Sequence, residues 1–294
     1  MKSFVAGVLL VVVAALGITA AAQTDTTKLN WALRLNETRG PVRAVDLSTP
    51  LGKTASSEIL GGPSNGSDNA YLIYTRMPSG AHGPALFTLG VDHLYFVLSG
   101  RMNVQIGTDK FVAGPNTGVI IPPGVPHEVW NADAEPEAHL EVIAPATSRD
   151  LMSMLKPAQP RKVEHADQYI REVPVLAAAT LKPGLNGQQL TSRAKGTAEQ
   201  MRIDNVLPGA GGPKPHVHKF EQVYFIKEGT TTVMYGLETY KASANSIVII
   251  QPGVVHTNHN EGTAVERHVT LLLPEPTEQP FDVEFEMKGP ANAR

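Results

Sequence analysis

Two histidines and a glutamine share one short stretch of the chain, GPKPHVHKFEQVYFIKEG. Because alternate residues of a strand point to the same side, we expect His216 and His218 to project together. Gln222 starts the next strand, and a later segment, PGVVH, delivers His256 through a Pro-Gly turn. Three imidazoles and an amide oxygen can bind one divalent transition metal (Fe, Mn, Ni or Zn) and leave positions open for water or substrate.

Two alternatives to this ligand set remain open from the residues alone. The histidines can be ordinary surface or core residues, although a third histidine in a separate motif favours a metal site over a lone H-x-H pair. Glu221 stands directly before Gln222 and would replace it as a ligand if a bulge shifted the strand by one residue. Counting back along the alternating strand from Gly229 favours Gln222.

The chain also repeats itself. Residues 80–145 align with residues 209–274 without a gap, so that LYFVLSG meets VYFIKEG and NTGVIIPPGVPHEVWN meets NSIVIIQPGVVHTNHN. A repeat of this length predicts two copies of one domain. Each copy consists of short runs rich in Val, Ile, Tyr, Phe and Thr, separated by Gly, Pro and Asn, which is typical of an antiparallel sandwich or barrel.

The segment between the copies, SRDLMSMLKPAQPRK, predicts a short helix that ends at Pro157 and Pro160. We therefore expect an N-terminal domain over residues 23–158 and a C-terminal domain over residues 159–294. The opening segment of each domain must supply its first strands.

The first 22 residues have the pattern of a secretory signal peptide, with Lys2, an apolar run and a small-residue cleavage site before Gln23. An uncleaved membrane anchor is the alternative. The formal net charge is -3 and there is no long basic run, which argues against a nucleic-acid partner. We expect an exported protein, periplasmic or secreted, that has no membrane partner after cleavage and is a monomer or a homodimer.

These motifs resemble those of the cupin superfamily, G-x5-H-x-H-x3-4-E-x6-G followed by G-x5-P-x-G-x2-H-x3-N. The resemblance covers both repeats and implies an all-β bicupin, with two tandem antiparallel jelly-roll barrels joined by a short helical linker. Each barrel would have a pocket at the position where cupins hold a metal. By position, the ligands implied in the second barrel are His216, His218, Gln222 and His256. The departure from the pattern is Gln222, which stands where the family usually has glutamate.

A ligand set without a carboxylate leaves a divalent metal close to its full charge. Such a centre favours an anionic or chelating oxygen substrate and a more acidic bound water. The resemblance implies a metal-dependent enzyme with dioxygenase-like chemistry on a small molecule. A non-redox lyase or isomerase and a non-enzymatic binding protein are the alternatives. Glu221, Tyr224 and His268 are the candidates for general acid or base, although Tyr224 also suits packing because Tyr95 occupies its place in the first copy.

The first copy lacks most of this site. Phe87 and Leu89 stand in the positions of the histidine pair, His93 stands in that of the glutamine, and His127 remains. Three interpretations are open: a barrel kept for packing, a three-histidine metal site completed by His82, or an apolar ligand pocket.

The strand faces that point away from the two pockets are also apolar. They carry the series Leu94-Phe96-Leu98 in the first copy and Val223-Phe225 in the second. Such faces need cover, which the other barrel or a second chain could provide.

Overall fold

The computed structural model describes residues 40–284, so the predicted signal peptide lies outside the described residues. Apart from four short 3₁₀ turns, the regular elements of the described residues are β-strands. No helix in this part of the chain has the length and apolarity needed to cross a membrane.

The first half of the described chain supplies ten strands. They are β1 (Val42–Ala44), β2 (Ser56–Gly61), β3 (Tyr71–Met77), β4 (Phe87–Thr88), β5 (Asp92–Ser99), β6 (Met102–Ile106), β7 (Asp109–Ala113), β8 (Thr117–Ile121), β9 (His127–Trp130) and β10 (Glu137–Ala144).

The second half supplies the remaining twelve described strands. They are β11 (Lys156–Pro157), β12 (Ile170–Glu172), β13 (Leu185–Thr191), β14 (Gln200–Val206), β15 (His216–Val217), β16 (Glu221–Glu228), β17 (Thr230–Tyr235), β18 (Glu238–Ser243), β19 (Ser246–Ile250), β20 (His256–His259), β21 (Glu266–Leu273) and β22 (Val283–Glu284). The 3₁₀ turns are Leu151–Met154, Ala166–Tyr169, Ala178–Thr180 and Arg193–Lys195.

The strands form two antiparallel jelly-roll barrels, as the sequence predicts. The first barrel combines a six-stranded sheet, in the order β12-β8-β5-β10-β3-β2, with a five-stranded sheet, β11-β4-β9-β6-β7. The second combines β1-β19-β16-β21-β14-β13 with β18-β17-β20-β15-β22. Gly100 makes the tight turn from β5 into β6 at a φ of 69°. A Cβ there would lie 2.5 Å from the carbonyl oxygen of Pro136, so only glycine fits.

Each barrel borrows one edge strand from the other half of the chain. Strand β1 pairs with β19 of the second barrel, with Val42 opposite Val248. Strand β12 pairs with β8 of the first barrel, with Ile170 opposite Val119. The segment before each repeat therefore also supplies a strand to the other barrel. A boundary between residues 158 and 159 would place β1 and β12 in different domains from the sheets to which they belong.

The segment between the repeats does not form the predicted helical linker. It makes one 3₁₀ turn, Leu151–Met154, capped by Asp150, and then enters β11. Two causes are visible. Pro157 disfavours a helical conformation at the residue before it, and Met154 is drawn into an apolar cluster with Phe87 of the first barrel.

An apolar seam between the two six-stranded sheets joins the barrels. Side chains of both repeats form one buried cluster, in which Leu94, Phe96, Val223 and Phe225 are fully buried and Leu98 packs against the cluster. This confirms that the barrels cover each other's outer apolar faces.

We expect Phe225→Ala to cost about 3–5 kcal/mol of unfolding free energy, because it opens a cavity in this seam. The ring of Phe225 is fully buried and stacks on Tyr74 of the other repeat, with centroids 5.9 Å apart. Urea unfolding of the full chain measures the loss. Val112→Ala is the control, because Val112 is 46% exposed, and its change should stay within about 0.5 kcal/mol. Equal effects of the two variants would contradict a continuous seam.

Candidate metal centre

Three buried histidines meet inside the second barrel. His216 begins β15 and lies directly opposite His256, the first residue of β20. His218 follows the end of β15, and its ring centroid lies 4.6 Å from that of His256. One nitrogen from each ring lies within 4.8 Å of a nitrogen of each of the other two. Among the described residues, these three histidines form the group of His, Asp and Glu side chains that is close enough to share a metal ion.

Backbone carbonyls fix how each ring presents its nitrogens. The Nδ1 atoms of His216, His218 and His256 lie 2.8, 2.7 and 3.0 Å from the carbonyl oxygens of Lys214, Phe220 and Val254 respectively. A carbonyl oxygen can only accept, so each Nδ1 carries the proton and donates it. In the neutral rings the three Nε2 atoms are therefore left with free lone pairs, which is the form that binds metals.

Gln222 adds a fourth candidate ligand atom to the cluster. Its Oε1 lies 2.9 Å from Nε2 of His218 and 3.1 Å from Nε2 of His256. Ligands at right angles on a metal, each at about 2.1 Å, stand about 3 Å apart. The amide oxygen of Gln222 and the Nε2 lone pairs of His218 and His256 are all hydrogen-bond acceptors, and they lie at the spacing of metal ligands. A cation bound between them would offset their mutual repulsion. The residues present fit a divalent transition metal.

Burial keeps two of these rings neutral. It lowers the pKa of His218 to about 4. Burial and the neighbouring imidazoles lower the pKa of His256 well below its ordinary value. A neutral imidazole offers its lone pair without first losing a proton, so both are ready ligands at neutral pH.

A cavity of about 130 Å³ adjoins the histidines. Two of the polar side chains that line it have a buried atom without a partner, namely Oδ1 of Asp204 and Nδ2 of Asn258. The other carboxylate oxygen of Asp204 accepts hydrogen bonds from Thr270 Oγ1 at 2.5 Å and from Arg202 Nε at 2.8 Å. The residues that line the cavity thus include an acceptor and a donor without hydrogen-bond partners.

Asp204 lies outside the predicted motifs, although the repeat contains a signal for it. Extending the alignment to β3 and β14 sets Thr75 against Asp204, and the later strands set Glu141 against Thr270. In the structure each carboxylate accepts a hydrogen bond from its hydroxyl, Glu141 from Thr75 at 2.6 Å and Asp204 from Thr270. The carboxylate and the hydroxyl have exchanged strands between the copies, so each barrel keeps one carboxylate at this point.

The candidate acid–base residues fall in different places. Tyr224 and His268 line the cavity, with ring centroids 4.7 Å apart. His268 Nδ1 lies 2.8 Å from Oε1 of Glu266, and its Nε2 lies 3.7 Å from Asp204. Burial would lower the pKa of His268, but Glu266 and Asp204 raise it above its ordinary value. Burial raises the pKa of Tyr224 further above its usual range, so Tyr224 stays protonated.

Glu221 lies on the other face of its strand, away from the histidines. Its Oε1 accepts a hydrogen bond from Ser67 Oγ at 2.5 Å, and its Oε2 accepts one from the Asp68 N–H at 3.1 Å. Glu221 therefore ties the second barrel to the first repeat, and Gln222 is the residue that the structure places with the metal-binding cluster.

The equivalent place in the first barrel has a different chemistry. His93 Nδ1 lies 2.9 Å from His127 Nε2, and the ring of Phe87 packs 4.4 Å from that of His127. His82 instead stacks on Trp130. The three histidines of the first repeat do not form a metal-binding cluster among the described residues.

A chain of buried polar contacts extends from His93. Its Nε2 lies 3.3 Å from Oε2 of Glu141, whose Oε1 lies 3.3 Å from Nε2 of His139. The Nδ1 of His139 in turn lies 2.9 Å from Glu137. Burial would lower the pKa of His139, but Glu137 and Glu141 raise it to about 10. His139 is thus an imidazolium between two carboxylates.

A family model of the cupin domain matches the chain twice, at residues 73–143 and 203–270. No curated protein sequence matches the chain. Salicylate 1,2-dioxygenase from Pseudoaminobacter salicylatoxidans, solved with gentisate adducts, superposes with a TM-score of 0.58 at 12% identity, over 74% of this chain and 73% of its own. The formate complex of oxalate decarboxylase from Lactobacillus farciminis gives 0.61 at 13% identity, over 85% and 89%. Oxalate decarboxylase from Bacillus subtilis at pH 4.6 gives 0.59 at 13%, over 85% and 79%. At these identities the superpositions show a shared fold.

We expect one metal ion per chain, bound in the second barrel. His218→Ala should remove it, because the variant deletes one of the three converging nitrogens. His93→Ala should leave the metal content unchanged, because His93 lies in the first barrel and its Nδ1 is hydrogen-bonded to His127. Elemental analysis of protein purified without an affinity tag measures both. A content near zero in the unaltered chain, or near two, would contradict this assignment.

The imidazolium at His139 should leave a pH signature in stability. A histidine whose pKa is raised on folding contributes stability below its unfolded value of about 6.5, and that contribution falls as the pH rises toward the folded value of about 10. The difference in unfolding free energy between the unaltered chain and His139→Gln should therefore shrink across this window. Urea titrations at several pH values measure it, and a difference that does not change with pH would refute the ion-pair assignment.

Proposed function

Because the chain carries two cupin domains, we propose that it is a metal-dependent enzyme with a single active centre, located in the C-terminal barrel. The observation that carries this proposal is the cluster of His216, His218 and His256, from which one nitrogen each lies within 4.8 Å of the others. The Oε1 of Gln222 lies beside two of these rings, and a backbone carbonyl holds every Nδ1. We also propose that the protein is exported to the periplasm or secreted, on the strength of the first 22 residues of the sequence.

The cavity indicates a small oxygenated or anionic substrate. Its ligand set carries no negative charge, so the metal retains its attraction for an anionic oxygen. The unpartnered Nδ2 of Asn258 can donate a hydrogen bond to such an oxygen. At about 130 Å³ the space is smaller than the roughly 150 Å³ cavity known to hold benzene. We therefore propose a small substrate such as a short-chain hydroxy or keto acid.

A bound divalent metal would polarise a coordinated oxygen as a Lewis acid and, if redox-active, would support oxidation. We assign Asp204 as the acceptor that takes a proton from the substrate, because it lines the cavity and its buried Oδ1 has no partner in the structure. Arg202 and Thr270 hold the other oxygen of Asp204 in place. His268, fixed by Glu266, stands with its Nε2 3.7 Å from Asp204, and both carboxylates raise its pKa.

The proposed enzyme could catalyse one of two classes of reaction. Oxygen-dependent cleavage is the first, by likeness of fold to a salicylate 1,2-dioxygenase. Non-redox lyase or isomerase chemistry is the second, and the unpartnered carboxylate of Asp204 favours it, because a buried proton acceptor beside a Lewis acid suits removal of a proton next to a carbonyl.

Reconstitution with single metals separates the two classes. Apoprotein loaded without oxygen with Fe(II), Mn(II), Ni(II) or Zn(II) is offered a panel of small hydroxy acids, keto acids and dicarboxylates. Oxygen uptake and mass spectrometry of the products follow the reaction. Oxygen consumption with iron supports the first class, and turnover with zinc without oxygen supports the second. Tight binding of a panel compound that survives chelation, with no turnover under any metal, would overturn the enzyme proposal.

We expect Asp204→Asn to lower kcat by about 10²- to 10⁴-fold, the range for loss of a general base, while the metal content stays at the level of the unaltered chain. Glu221→Gln is the matched control, because Glu221 contacts Ser67 and Asp68 rather than the cavity, and its kcat should change less than about twofold. Steady-state kinetics with elemental analysis measure both variants. A larger loss of kcat in Glu221→Gln than in Asp204→Asn would reverse the assignment.

A further inference from the structure

The first barrel contains a cavity of about 380 Å³, which is larger than the cavity of about 130 Å³ beside the histidine cluster of the second barrel. This volume lies within the range of about 300–1,000 Å³ that is typical of ligand pockets. Its walls are mainly apolar, and the 3₁₀ turn between the repeats contributes to them. The apolar wall includes Ile59, Ile73, Phe87, Ile143, Leu151 and Leu155.

The polar groups of this cavity belong to the chain of buried polar contacts that extends from His93. Glu141, His93 and His139 all line it. Oε1 of Glu141 is well provided with donors, because Thr75 Oγ1 lies at 2.6 Å and His139 Nε2 at 3.3 Å. Glu141 has 17% of its side chain exposed, whereas the side chains of His93 and His139 are almost fully buried. Its carboxylate is therefore the accessible charge of the pocket.

The other oxygen of Glu141 faces a second acceptor. His127 Nδ1 lies 2.9 Å from the carbonyl oxygen of Val125 and must donate to it, so its Nε2 accepts the proton of His93 Nδ1 at 2.9 Å. A neutral His93 then turns the lone pair of Nε2 toward Oε2 of Glu141, 3.3 Å away. Burial lowers the pKa of His93 and so opposes the extra proton that would bridge them.

The first barrel lacks the ligands needed for a metal ion to bridge these two acceptors. The two positions that provide histidines in the second barrel are occupied by Phe87 and Leu89, which are buried side chains without metal-binding atoms. The remaining pair, His93 and His127, is already joined by its own hydrogen bond. A donor hydrogen from an organic molecule, in contrast, can meet both acceptors at once.

We propose that the first barrel binds, without a metal, a small molecule that has an apolar body and a hydrogen-bond-donating head group, a hydroxyl or a protonated amine, seated against Glu141 and His93. The apolar walls receive the body of the molecule. The carboxylate of Glu141 repels anions, so a carboxylate head is excluded. This preference is opposite to that of the metal centre, and the proposal does not rest on the function proposed for the second barrel.

Four probes that share one ring test the head group. Phenol, benzylamine, toluene and benzoate carry different head groups on a benzene ring, and each is titrated against the full chain with and without a chelator. A hydrogen bond to a charged group is worth about 1.5–3 kcal/mol, so phenol or benzylamine should bind at least about tenfold tighter than toluene, and benzoate should bind weakest. Which of the two binds tighter identifies the head group. Equal binding of all four probes, loss of binding on chelation, or no binding of either donor probe would overturn the proposal.

A variant and a location experiment complete the test. Glu141→Gln should weaken the tighter donor probe by about tenfold or more and leave toluene unchanged. Glu135→Gln is the matched control, because Glu135 is an exposed carboxylate of the same barrel. If Glu141→Gln does not fold, NMR contacts between the probe and the methyl groups of Ile73 and Ile143 in the unaltered chain locate the site. Contacts confined to residues outside this cavity would refute it.

Discussion

The apolar seam between the two six-stranded sheets is the constraint on which both pockets depend. Strand side chains alternate between faces, so burying Val223 and Phe225 in the seam forces Gln222 and Tyr224 to the inside of the second barrel. The same alternation places Glu221 on the seam side, where Ser67 and Asp68 bond it. Shifting β16 by one residue would turn the apolar set inward and lose both the seam and the ligand.

The exchange of edge strands strengthens the same constraint. Strand β1 closes the sheet of the second barrel, and β12 closes that of the first. Each strand also covers an edge that would otherwise be open to pairing with another chain. The barrels are therefore joined by backbone hydrogen bonds as well as by apolar contacts, and the sheet that carries Gln222 is held from both sides.

The sequence predicts what depends on local spacing. The repeat, the β class, the histidine pair and the choice of Gln222 follow from residue periods and from comparison of the chain with itself. The strand exchange is not predictable in this way, because pairing between β1 and β19 joins residues about 200 positions apart and leaves no local pattern. The prediction of a helical linker was wrong for a related reason, because burial of Met154 in the first barrel outweighs the local helix preference.

The two barrels show how one internal framework comes to hold two kinds of chemistry. Both keep a histidine bonded to a glutamate two residues earlier, His139 with Glu137 and His268 with Glu266, and both set a carboxylate beside that histidine. In the second barrel this carboxylate, on Asp204, is held by Arg202 and stands beside His268. Under the proposed function, a glutamate in place of Gln222 would add a negative charge next to a bound metal, whereas the amide contributes an oxygen without charge and would leave the cation free to attract an anion. The neutral amide and the carboxylate on the cavity wall would then have separate roles, the first toward the metal and the second toward the substrate.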